Sequence, residues 1–170
     1  MAKTVRNISD APAGAFAATV EAEAGETVEY ELTFTAAGGS AVDNFSDAFD
    51  VSITDVLPDG LSYVAASSAV TTGAGVSADN AVADPAIALQ TLTWSTATGT
   101  DIDIVEGTAT ITLRYQALVG DSVLSDASLI NSASATWTSL DGAVAEERDG
   151  GGGVDDYTTG PVTAEVTTPD

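Results

Sequence analysis

Apolar and polar residues alternate along most of this chain of 170 residues, with the two-residue period of strands that bury one face. The clearest run puts Val28, Tyr30, Leu32 and Phe34 on one face and Glu29, Glu31 and Thr33 on the other. On a helix those four apolar residues would scatter around the axis. A second run turns Ala109, Ile111, Leu113, Tyr115, Ala117 and Val119 inward, with Thr108, Thr110, Thr112, Arg114 and Gln116 outward. A third carries Leu129, Asn131, Ala133, Ala135 and Trp137 at inward parity. Shorter alternations predict strands over 3–8, over 16–23 with Phe16, Ala18, Val20 and Ala22 inward, and over 50–57. Others begin at Leu61, Tyr63 and Ala65, centre on Leu92 and Trp94, and close the chain with Val162, Ala164 and Val166.

Between these runs lie Gly, Pro, Asp and Asn, the residues of turns. Pro58-Asp59-Gly60 stops the strand before it. The pattern predicts longer loops over 36–49, about 72–88, 98–107 and 141–160. No segment keeps a helical period for more than a turn. About eight to ten mostly antiparallel strands predict an all-β sandwich, and the lack of a strong internal repeat predicts one domain over 1–170.

Three residues break the pattern. Asp55 shares the parity of Val51, Ile53 and Leu57, Lys3 that of Val5, and Asn131 that of Leu129 and Ala133. A carboxylate on a buried face is costly unless paired, and Lys3 is the only lysine of the chain. Two readings follow: a buried polar network, or a desolvated lysine that has become a nucleophile and attacks the Asn131 carboxamide with Asp55 as the acid.

Charge narrows the function classes. Four Lys and Arg stand against 26 Asp and Glu, a formal net charge of −22. That argues against nucleic acid, whose affinity rests on cationic contacts to phosphate, and against anionic membrane surfaces. The chain has no Cys and no His, which removes disulfides, ordinary zinc sites and Ser-His-Asp or Cys-His catalysis. No apolar run approaches the length of a membrane-spanning helix. The start lacks a signal-peptide apolar region, so the expectation is a piece of a longer protein. Loop acids supply hard oxygen ligands of the kind Ca²⁺ takes: Asp43, Asn44, Asp47 and Asp50 in one group, Asp149, Asp155 and Asp156 in another. They lack EF-hand spacing, and a solvated acidic surface is the plainer reading. Paired carboxylates for glycoside hydrolysis find no aromatic-rich cleft signal beside them. No enzyme is expected beyond a single-turnover self-crosslinking reaction, and no cofactor beyond calcium.

The runs Gly25-x-x-Val28-x-Tyr30-x-Leu32-x-Phe34, Asp50-Val51-x-Ile53-x-Asp55-x-Leu57-Pro58-x-Gly60-Leu61-x-Tyr63 and Ile130-Asn131-x-Ala133-x-Ala135 resemble a large family of bacterial cell-surface repeats. That family is similar to the isopeptide-forming shaft domains of Gram-positive fimbriae. The tail from Glu147 to Tyr157 looks like the ending of such repeats. The resemblance implies an Ig-like β-sandwich, an extracellular place on the bacterial surface, and neighbouring repeats of the same polypeptide or fibre as partners. In fimbrial members a first-strand Lys joins a late-strand Asn with an acid beside them, which matches Lys3, Asn131 and Asp55. The implied function is a structural or adhesive repeat that spaces or stiffens a surface fibre. The alternative is a calcium-dependent module of an adhesin that binds a carbohydrate or protein of the host or matrix.

Overall fold

The computed structural model describes residues 1–35, 48–72, 83–104, 110–142 and 157–170. Eleven strands are present among them: β1 Ala2–Asn7, β2 Thr19–Glu21, β3 Thr27–Thr35, β4 Phe49–Val56, β5 Leu61–Tyr63, β6 Ala69–Thr72, β7 Ala86–Ala88, β8 Thr91–Trp94, β9 Thr110–Val119, β10 Ser128–Thr138 and β11 Tyr157–Thr167. They form two sheets. The first has the order β1-β3-β9-β5, with β6 also paired to β9; the second has the order β2-β11-β10-β4-β8-β7. All pairings are antiparallel except β2 with β11.

The alternation read from the sequence explains the core. Val28, Tyr30 and Leu32 of β3 and Ile111, Leu113, Tyr115, Ala117 and Val119 of β9 are buried from one sheet. Val51 and Ile53 of β4, Leu92 and Trp94 of β8, and Leu129, Ala133, Ala164 and Val166 meet them from the other. Each large side chain buried this way contributes about 1.5–3 kcal/mol. Gly60 ends the turn at 58–60 with φ +99°, and a Cβ there would stand 2.7 Å from Val123 Cγ2.

Several boundaries differ from the sequence reading, which put the strand number at eight to ten. The region read as a loop over 72–88 begins inside β6 and ends with β7, short edge strands with too few residues to show a period. β4 starts at Phe49, and β11 starts at Tyr157 rather than after 160. The turn over 98–107 holds two core residues, Ile102 and Ile104; backbone bonds Val51 N–H to Ile102 O (3.0 Å) and Ile104 N–H to Ala48 O (2.7 Å) draw them in. The strand over 16–23 shrinks to Thr19–Glu21. Phe16 leaves the core because two cations hold it outside: the Arg6 and Arg114 guanidinium carbons lie 4.5 and 5.1 Å from its ring centroid. Those arginines pair with Glu29 and Glu31. Trp137 is only half-buried, beside two shifts of register in which β11 (between Thr159 and Val162) and β4 (between Phe49 and Ser52) each carry one extra residue against β10.

β1 and β11 run in the same direction. Asn7 lies opposite Val28, and Gly25 N–H bonds Val119 O, while Ala22 N–H bonds Thr167 O. Asn7 and Thr167 therefore share one end of the sandwich, and Ala2 and Tyr157 lie toward the other.

Candidate functional site

The three pattern-breaking residues meet. β1 carries Lys3 inward opposite Leu32 of β3, β4 carries Asp55 inward opposite Ala133 of β10, and Asn131 of β10 stands opposite Ala164 of β11. The small alanines beside Asp55 and Asn131 leave room between the sheets for long side chains. Lys3 Nζ forms an ion pair with Asp55 Oδ2, and both side chains are fully shielded from water. Asn131 is likewise buried.

The residue that joins them is Tyr115 of β9. Its hydroxyl donates to Asp55 Oδ2 (2.8 Å), accepts from Asn131 Nδ2 (2.6 Å) and lies 3.4 Å from Lys3 Nζ. Tyr115 is in register with Tyr30 on β3, which is in register with Val5. The two tyrosine rings stack at 5.3 Å, Trp94 lies 5.3 Å from Tyr115, and Lys3 Nζ sits 4.9 Å from the Tyr30 ring centroid. The sequence reading placed both tyrosines in the core only; their inward parity was visible, their hydroxyl partners were not.

Burial shapes the charges. Desolvation lowers the Lys3 pKa to about 8, against the opposing pull of the Asp55 carboxylate. Desolvation raises the Asp55 carboxyl above its ordinary value, with Lys3 and the hydrogen bonds of Tyr115 and Asn131 acting the other way. Both shifts favour moving the proton from nitrogen to carboxylate. Burial, with the neighbouring Asp55 charge, also pushes the Tyr115 hydroxyl well above its usual pKa and keeps it neutral. Three buried polar atoms of the site, Asp55 Oδ1, Asn131 Oδ1 and the Tyr30 hydroxyl, have no hydrogen-bond partner. An unpaired buried polar group costs about 1–3 kcal/mol, so these three atoms oppose folding.

Of the calcium candidates, Asp50 is described. Its backbone has φ 50°, its N–H donates to Asp103 Oδ1 (2.9 Å), and its Oδ2 accepts from Gly142 N–H (2.9 Å). Asp43, Asn44, Asp47, Asp149, Asp155 and Asp156 lie outside the described residues. Among the described residues no group of three or more acids is arranged to hold a metal ion, and no helix is long and apolar enough to cross a membrane.

No family model matches the sequence, and no curated protein matches it. Solved structures do. A C-terminal fragment of the major pilin GBS80 of Streptococcus agalactiae aligns over 99% of this chain and 55% of its own, with TM-score 0.58 and 13% identity. The N-terminal domain of the Streptococcus gordonii adhesin Sgo0707 aligns over 99% of this chain and 33% of its own, with TM-score 0.54 and 11% identity. The pilus backbone RrgB of Streptococcus pneumoniae aligns over 71% of this chain and 27% of its own, with TM-score 0.45 and 18% identity. This chain thus spans about half or less of each of those solved chains. At such identities the likeness to the first two establishes a shared fold, an all-β sandwich.

Proposed function

We propose that this chain is a load-bearing extracellular module of a bacterial surface fibre or adhesin, locked by an isopeptide bond between Lys3 and Asn131. The observation that carries the reading is the dry, four-membered constellation of Lys3, Asp55, Tyr115 and Asn131 between the sheets. A lysine whose pKa burial has lowered, beside a carboxyl whose pKa burial has raised, is a nucleophile with its base in place. Asp55 takes a proton from Lys3, Nζ attacks Asn131 Cγ, and protonated Asp55 supports the developing charge on the amide. Nδ2 then leaves as ammonia. A protonated Asp55 also gives its carboxyl a donor in a site where Asn131 Oδ1 lacks one.

The direction of the strands supports the mechanical role. With β1 and β11 parallel, a pull on the two ends of the chain shears the sandwich along its length. A link from Lys3 on β1 to Asn131 on β10 would take the residues between them out of the load path. The pilin and adhesin identities of the two chains that share the fold are consistent with this role.

Intact mass spectrometry tests the reading. The folded chain is expected about 17 Da below its sequence mass, the ammonia lost in amide formation. A parent at the plain sequence mass would leave the constellation as a buried polar network.

A further inference from the structure

Resting on the isopeptide reading, we infer that Tyr115 is a catalytic residue of the crosslinking reaction: its hydroxyl carries to the departing Asn131 nitrogen the proton that Asp55 collects from Lys3. The hydroxyl touches every participant, at 2.8 Å from Asp55 Oδ2, 2.6 Å from Asn131 Nδ2 and 3.4 Å from Lys3 Nζ. Asn131 also acts on the Asp55 carboxyl, but the bond made by the leaving nitrogen, Nδ2, runs to the Tyr115 oxygen. The acid and the leaving group are bridged by this oxygen.

The proton balance requires a donor for the leaving nitrogen, and Tyr115 is hydrogen-bonded to it. The lysine nitrogen begins with three hydrogens and ends as an amide with one, so two protons leave it. The asparagine nitrogen begins with two and leaves as ammonia with three, so it gains one. The first proton passes from Lys3 to Asp55 before attack. While the carboxamide is intact, Nδ2 is conjugated and only donates, as it does to Tyr115. Once Nζ has added to Cγ, Nδ2 becomes an amine with a free lone pair, and the direction of that hydrogen bond can reverse. Tyr115 then gives its hydrogen to Nδ2 and takes the one held by Asp55, and Asp55 takes the second proton from Nζ. The Cγ–Nδ2 bond breaks, ammonia departs, and one proton remains on Asp55. The phenol starts and finishes neutral, as its burial demands. A proton transfer of this kind in a transition state is worth about 10²–10⁴-fold in rate.

The test uses a full-length chain that has never folded, assembled chemically, held in denaturant and refolded by dilution, with intact mass followed over time. Tyr115→Phe keeps the ring in its stack and removes the hydroxyl. It is expected to refold cooperatively by circular dichroism and to lose the 17 Da at least tenfold more slowly than the parent. Tyr30→Phe, which removes the neighbouring hydroxyl that makes no hydrogen bond to the leaving nitrogen, is expected to slow the reaction much less than Tyr115→Phe does. The parent itself is expected to react more slowly in D₂O, a measurement that needs no variant to fold. A Tyr115→Phe chain that crosslinks at the parent's rate overturns the inference while leaving the isopeptide reading intact. So does equal slowing by both substitutions, which would assign the effect to packing, or the absence of a solvent isotope effect. A parent that never loses the mass overturns both readings.

Discussion

At the scale of single residues, Asp55 shows how burial changes chemistry. Removing it with Asp55→Ala leaves Lys3 and Asn131 in place but takes away the proposed base and the partner of a buried cation. The expected product has the plain sequence mass, and its stability falls by about 3–5 kcal/mol from the uncompensated lysine alone, to be checked by denaturant unfolding. Asn131→Ala blocks the proposed bond and leaves Lys3 free to titrate. Its pKa is about 8 in the fold and 10.5 as the ordinary value, so between these the unfolded chain binds more protons than the folded one. Stability then rises with pH. The expected midpoint of Asn131→Ala climbs from pH 8 toward pH 10. Above that it falls, because tyrosines freed by unfolding ionise while Tyr30 and Tyr115 stay neutral in the core. A flat profile from pH 8 to 10 would contradict the lysine's burial.

At the scale of elements, the long strands β3, β9 and β10 hold the site, and their packing differs along their length. Tyr30 is fully buried, and Tyr30→Ala is expected to cost about 3–5 kcal/mol. Trp137, at the far end of β10, rests on Phe34 edge-on at 5.5 Å and on Tyr157 at 5.9 Å but keeps one side toward solvent. Trp137→Ala is therefore expected to cost less, about 2 kcal/mol. If thermal or chemical melts gave the two the same cost, the irregularity of β11 and β4 against β10 would not be lifting the tryptophan out of the core. Gly160 in β11 answers that irregularity. It has φ +106°, and a Cβ would stand 2.8 Å from Ala133 O. Gly160→Ala is expected to lower stability by about 1–3 kcal/mol without changing the mass shift, since Ala133 rather than Asn131 lies beneath it.

At the scale of the whole molecule, charge and topology act together. A formal net charge of −22 opposes compaction, and Arg6 and Arg114 are already committed to Glu29 and Glu31 around Phe16. Raising NaCl from low to physiological strength is expected to raise the melting temperature through screening. CaCl₂ at matched ionic strength discriminates further: a larger rise would indicate ligation by the acids, and an equal one would confine their role to solvation. The proposed crosslink between positions 128 apart in sequence would close a loop whose entropy, by analogy with disulfides, is worth about 5 kcal/mol. The parent is expected to exceed Asn131→Ala in stability by that order.

The sequence by itself determined the class of fold, because a two-residue period needs only local chain geometry to declare which face is buried. Through the same period it determined that Lys3, Asp55 and Asn131 point inward, since a polar residue at apolar parity is visible without knowing its neighbours. Short edge strands such as β6 and β7 lay beyond it, having too few residues to show a period. So did Ile102 and Ile104, whose burial depends on backbone bonds to Val51 and Ala48 rather than on their own run. Phe16 followed the parity rule on paper and left the core because Arg6 and Arg114, distant in sequence, converge on its ring. The parity of Tyr115 places it in the core, yet its hydroxyl's place among the three polar groups arises only when two sheets face each other. The inward direction of a side chain is local, but the atom it meets there is decided by strand order and register.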